Sequence, residues 1–254
     1  MGFLAALEFL TRLRVRRTPS GDMLAVAAAQ GWFPVVGLVL GAFLLGLDRL
    51  ASRALPEASV DVLLVVGLAA LTGGLHLDGL GDTADGLLGG RDRDERLAIM
   101  RDPHAGSFAV IAIVSVLALK WAGLAATPRA VRFEAILLVP CVARFAMAAA
   151  AAAFPYARHE GPGAAFHDAA RPVAVIVAGG TAAATAVALL GAGGLIAVAF
   201  ALCCALAVGV YARRSIGGMT GDVYGATAEI SEAGLFLLVA ALASRGWLHP
   251  LLLG

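Results

Sequence analysis

Long apolar blocks separated by short polar connections dominate the chain. A helix needs about 20 mostly apolar residues to cross a bilayer, and stretches of that kind lie near 24–47, 60–77, 107–126, 133–154, 172–190, 191–212 and 223–243. The pattern predicts an all-α, polytopic membrane protein of about seven transmembrane helices. The joint "GAGG" (Gly191 to Gly194) between the fifth and sixth blocks predicts a tight hairpin, and the alanine run ending at Phe154 reads as plain helix filler. At the start, "MGFLAALEFLTRLRVRR" places its apolar run before its basic run, the reverse of a cleavable signal peptide, and Ala6 departs from the myristoylation pattern. An N-terminal interfacial helix followed by a cytoplasmic basic anchor is expected there.

Composition supports this class. The chain has 254 residues, 60% hydrophobic and 15% charged, with a mean hydropathy of +0.88, well outside the range of soluble domains. One transmembrane catalytic domain over 1–254 is expected, in contact with the lipid bilayer. Cys141, Cys203 and Cys204 all fall in apolar blocks without paired spacing, so they read as small packing residues. A net charge of +1 says nothing about nucleic acid, and no basic cluster alternates with aromatics, so no nucleic-acid partner is expected.

Charge also predicts orientation, because cytoplasmic connections carry the excess of Lys and Arg. With Lys120 counted in the connection after its span, alternate connections hold 12 on one side and 6 on the other. The N-terminus is therefore expected inside. The connections holding "GLGDTADG" (Gly79 to Gly86) and "RRSIGGMTGD" (Arg213 to Asp222) share that side.

The chain's candidate chemistry lies in these two connections. Asp78, Asp82 and Asp85 are spaced i, i+4, i+7, within about 60° of one helix face. Like charges packed at a membrane boundary need a compensating cation, and oxygen-only donors favour a hard ion such as Mg²⁺ or Mn²⁺. Gly79 and Gly86 remove bulk beside the acids and would let a phosphorylated substrate approach the backbone. A second stripe holds Asp222 and Glu229 at i, i+7, with Glu232 one turn deeper. Arg144, inside an apolar block, wants a carboxylate or phosphate partner, either as a structural ion pair or as a substrate contact. Arg91, Arg96 and Arg101 are either solvated or present cations to a diphosphate. His104 is a phosphate donor or a bystander, and His76 points away from the acidic stripe. Together these groups suit metal-assisted phosphoryl or phosphodiester transfer, with a free carboxylate taking the proton of an attacking hydroxyl. The acidic pattern is similar to the first half of the CDP-alcohol phosphotransferase motif, but Asp85-Gly86 is followed by Leu87-Leu88-Gly89-Gly90 and not by x2-Ala-Arg.

"GGLHLDGLGDTADGLLGG" (Gly73 to Gly90), followed by "RDRDERLAIMRDPHAGSFA" (Arg91 to Ala109), resembles the signature of the cobalamin synthase, or adenosylcobinamide-GDP ribazoletransferase, family. "FLTRLRV" (Phe9 to Val15), "GWFPVVGLVLG" (Gly31 to Gly41), "PCVARFAM" (Pro140 to Met147), "FPYAR" (Phe154 to Arg158) and "GGMTGDVYGATAEISE" (Gly217 to Glu232) extend the match over most of the chain. The resemblance implies an Mg²⁺-dependent enzyme of the bacterial inner membrane that joins α-ribazole, or its 5′-phosphate, to adenosylcobinamide-GDP and releases GMP. It implies metal ligation by Asp78, Asp82, Asp85 and Asp222, and catalytic roles for Asp82, Glu229 and Arg144. Arg91, Arg96, Arg101, His104, Gly79 and Gly86 would bind substrate, and the pattern leaves room for a homo-oligomer. Family members often carry a polar residue near Leu77, where this chain is apolar.

Two other classes compete. An ion- or proton-coupled transporter would also use intramembrane acids and Arg144, but with acids near the midplane and internal repeats. No repeat is detected. A lipid-headgroup phosphotransferase would carry the complete CDP-alcohol motif.

Overall fold

A computed structural model describes residues 2–13, 29–158 and 172–248. Ten α-helices account for nearly all of them: α1 (Gly2–Leu10), α2 (Phe33–Ala51), α3 (Glu57–Thr72), α4 (Leu75–Gly89), α5 (Arg93–Ile99), α6 (Ser107–Ala125), α7 (Arg129–Ala153), α8 (Pro172–Leu190), α9 (Gly194–Ile216) and α10 (Gly221–Ser244). Among the described residues the sole β contact is an isolated pairing of Tyr156 with Met219.

The bundle is organised around α7, which packs against α2, α8, α9 and α10. Its alanines from Ala146 to Ala151 are all buried, because small side chains let neighbouring helices close in on it. The stretch expected to be filler is thus part of the core. Pro140 has no N–H to give the Ile136 carbonyl, and α2 meets that interruption with Gly41, where a β-carbon would lie 2.8 Å from the Ile136 oxygen.

Five helical stretches of the described chain are long and apolar enough to cross a membrane, or six if α3 and α4 are one broken span. Pro172–Ile216 counts once in that number. The chain nevertheless reverses within it at Gly191 (φ 63°), since Gly194 comes back against Ala186 and both α8 and α9 pack on α7. The expected hairpin is present. Six of the seven expected blocks coincide with the five unbroken stretches, and 60–77 falls across the bend between α3 and α4. There α3 ends at Gly73 and the axis turns by 89° into α4. Gly73 and Gly74 both take left-handed backbone (φ 65° and 74°), which a β-carbon would penalise by roughly 1–2 kcal/mol each.

Outward faces remain apolar. Val62 and Val66 on α3, Ile111 and Val114 on α6, and Ile176 on α8 are all exposed, as expected of helices bathed in lipid. The fold is that of a multi-pass membrane protein. At the N-terminus α1 forms as expected and buries Ala6, Leu7 and Leu10, while Arg14, Arg16 and Arg17 of the expected anchor lie outside the described residues. Lys120 belongs to α6 and not to the connection after it. Without it the charge tally becomes 12 against 5, provided that α3 and α4 together make one crossing.

Candidate active site

The two acidic motifs meet where α4 and α10 cross in antiparallel fashion. At the crossing, Gly79 lies against the Asp222 main chain, and a β-carbon on Gly225 would stand 3.2 Å from the His76 backbone. Two glycines on facing helices permit this approach. α10 starts at Gly221, its first turn capped by the Thr220 side chain, which accepts from Val223 N. The start of α10 therefore delivers Asp222 to the side of α4 that carries Asp78 and Asp82.

Three carboxylates form an open rim there. Asp78 is exposed, and Asp82 and Asp222 are half-buried. The negative charges of Asp78, Asp222 and Asp85 all bear on Asp82, opposed by Arg158. Arg158 NH2 donates to Asp222 Oδ2 at 3.2 Å, and the Thr220 hydroxyl donates to the same oxygen at 3.1 Å.

Asp85 faces elsewhere. Its Oδ2 accepts from Gly106 N at 2.6 Å and its Oδ1 from Ala109 N at 2.9 Å. These are first-turn N–H groups of α6, otherwise unpaired in a helix, and the N-cap position is Gly106, which has no side chain to serve them. Asp85 caps α6 from another helix, and both of its oxygens are engaged there. The expected substrate glycines are also displaced. Gly79 seats α10, and Gly86 seats α5, with a β-carbon there only 2.9 Å from Arg96 O. Arg96 spends its donors on Gly90 O (3.0 Å) and Ser215 O (3.2 Å), which tie α5 to the ends of α4 and α9. Arg91 and Arg101 are exposed. His104 is exposed and pairs with Asp102 at 2.6 Å.

Arg144 and Glu229, expected at the reacting centre, sit in the bundle interior. Lys120 of α6 donates to Glu229 Oε2 at 2.7 Å and also to Glu232, and Arg144 of α7 donates to the other Glu232 oxygen. His76 Nδ1 lies 3.5 Å from Arg144 NH2. All five side chains are almost fully buried. Two cations offset two carboxylates, so the cluster is neutralised internally, as buried charges must be. Of the two readings of Arg144, the structure shows the ion pair.

Sequence reading missed Lys120, Arg158, Tyr156 and Arg93. Lys120 carried a clear signal: it is the chain's sole lysine, within an apolar block. Arg158 and Tyr156 reach the rim through main-chain pairing of their segment with the one before α10, by Ala157 N to Met219 O and Met219 N to Pro155 O, both 2.8 Å. No local spacing announces such a contact.

Asp78, Asp82 and Asp222 offer carboxylate oxygens only, the donor type of hard divalent cations. Among the described residues no three acidic, His or Cys side chains stand together closely enough to hold a metal ion between them. An open rim suits Mg²⁺, which is held by one or two carboxylates and completes its shell with water and substrate phosphate.

Comparison with known proteins places the chain in a family. A family model described as cobalamin-5-phosphate synthase matches residues 2–241. The adenosylcobinamide-GDP ribazoletransferase of Roseiflexus sp. (strain RS-1) is 40% identical over 229 residues, 89% of this chain and 84% of that protein. Its namesake from Chlorobaculum tepidum is 39% identical over 243 residues, 94% of each chain. That of Syntrophobacter fumaroxidans is 40% identical over 242 residues, 94% of this chain and 97% of that one. No solved structure matches.

Proposed function

Because this chain belongs to the cobalamin-5-phosphate synthase family and is a transferase of cobalamin biosynthesis, we propose that it joins α-ribazole, or its 5′-phosphate, to adenosylcobinamide-GDP. The products are adenosylcobalamin, or its 5′-phosphate, and GMP. The observation that carries the reading is the meeting of Asp78, Asp82 and Asp222, from two distant segments, beside Arg158 on one rim. A ribose hydroxyl of the acceptor attacks the phosphorus nearer the cobinamide. The bond from that phosphorus to the bridging oxygen breaks, and GMP departs with that oxygen.

Asp78 and Asp222 would hold Mg²⁺, which when bound would supply positive charge to the diphosphate oxygens. Asp82, central among the acids, takes the hydroxyl proton. Arg158 orients Asp222 and offers charge to the phosphate. Glu229, through Lys120, and Arg144, through Glu232, act from beneath, holding α10 against α6 and α7. The whole chain works as one catalytic domain in the bacterial inner membrane, with the rim on the cytoplasmic side, as the excess of basic residues supports.

The test is to incubate purified protein with Mg²⁺, adenosylcobinamide-GDP and α-ribazole 5′-phosphate and to analyse the corrinoids by chromatography. A cobalamin 5′-phosphate product is expected. Unchanged adenosylcobinamide-GDP in the presence of folded protein contradicts the proposal.

A further inference from the structure

Beside the acidic rim lies a cleft of about 300 Å³ lined by Arg93, Asp94, Leu97, Ala98, Arg101, Ala157 and Arg158. Three guanidinium groups face one carboxylate. That carboxylate is committed, since Asp94 Oδ1 takes Arg93 NH1 at 3.2 Å. Arg93 is held in place by two main-chain acceptors, Nε to Ile216 O at 3.1 Å and NH2 to Ala157 O at 2.8 Å. The carbonyls fix Arg93 while Asp94 offsets part of its charge, and the cleft keeps an excess of two guanidinium groups over carboxylates. Arg158 has a buried Nε with no hydrogen-bond partner among the described residues, while its NH2 reaches Asp222 at the rim. Tyr156 feels the charges of Arg158, Asp222 and Arg101 together, so the cleft and the rim adjoin. Leu97 and Ala98 add an apolar strip on α5.

We propose that this cleft binds a nucleoside monophosphate unit, its phosphate on Arg93, Arg101 and Arg158 and its ribose or base over Leu97 and Ala98. The volume falls at the small end of ligand sites, about 300–1,000 Å³, which suits one nucleotide and excludes a corrin ring. The inference rests on the reaction proposed above, in which two partners carry such a unit: the GMP half of the activated corrinoid and α-ribazole 5′-phosphate. Either would lie with its phosphate next to the Asp222 side of the rim.

The test is equilibrium binding of GMP and, separately, of α-ribazole 5′-phosphate to the purified full chain in Mg²⁺, with neither reaction partner added. Arg101 is exposed, so Arg101→Glu leaves the fold intact, and Arg158→Gln is the second variant. Each variant is expected to weaken one of the two ligands by about tenfold, the scale of one charge-assisted hydrogen bond, with free α-ribazole unaffected. Loss of GMP binding assigns the cleft to the activated corrinoid, and loss of α-ribazole 5′-phosphate binding assigns it to the acceptor. Wild-type affinity for both ligands in both variants overturns the proposal. Because no turnover is involved, a chain that binds but forms no cobalamin product contradicts the reaction alone. One that forms product with both KM values unchanged in Arg101→Glu contradicts the cleft alone.

Discussion

Gly79 of α4 touches the main chain of Asp222 at the start of α10: a β-carbon at position 79 would sit 2.8 Å from the Asp222 carbonyl oxygen and 3.0 Å from its Cα. The neighbouring atoms are backbone and cannot swing aside. This contact sets the separation of Asp78 and Asp82 from Asp222. Gly79→Val is expected to part the helices at a cost of about 1–3 kcal/mol. Turnover should fall by more than the stability loss explains, because the carboxylates move apart. Thermal unfolding in detergent and turnover, measured on the same preparation, check this. Unchanged turnover would mean that α4 and α10 need not meet at this point.

The cluster around Lys120 makes a second prediction. Lys120→Met leaves Glu229 without its cation, and breaking a buried pair costs about 3–5 kcal/mol. Adding Glu229→Gln removes the stranded charge, so the double variant is expected to unfold at a higher temperature than Lys120→Met alone. Additive losses in the double-mutant cycle would show that the pair contributes no coupling.

Much of the fold is legible in the sequence, because span length and hydropathy follow from bilayer thickness alone. The second expected span is bent for a local reason: 60–77 is mostly apolar, but Gly73 and Gly74 turn the chain inside it. The pair was visible, though its left-handed geometry was not. For the site, helical spacing puts Asp78, Asp82 and Asp85 on one arc, and the structure separates them by partner. Asp85 turns to the bare N–H groups of α6, which begins more than twenty residues later. Arg158 reaches Asp222 across 64 residues of sequence. Such contacts are set by how helix ends meet, which periodicity does not encode.

Asp85 gives a third prediction. Asp85→Ala removes both acceptors at the start of α6 and is expected to cost about 0.5–2 kcal/mol, the range for lost N-caps. Asp85→Asn keeps one acceptor oxygen and should retain most of the stability and turnover. The two variants are compared by thermal unfolding and by KM for Mg²⁺. A large rise in that KM for Asp85→Asn, with stability preserved, would return Asp85 to the ligand set.

Arg96 allows a fourth. With its guanidinium on Gly90 O and Ser215 O, Arg96→Gln is expected to lower the unfolding temperature while leaving both substrate KM values at wild type. A raised KM for either substrate at unchanged stability would show that Arg96 contacts substrate.

The most direct test of the carboxylate rim is the rate of GMP release by Asp82→Asn, measured against wild type in Mg²⁺ with both substrates saturating. Asn is isosteric and uncharged, and Asp82 makes no hydrogen bond that the fold requires among those between described residues. A correctly folded Asp82→Asn protein is expected to release GMP at least about a hundredfold more slowly, the scale of a lost general base. Release at the wild-type rate would contradict the claim that the rim formed by α4 and α10 is where the phosphoryl group is transferred.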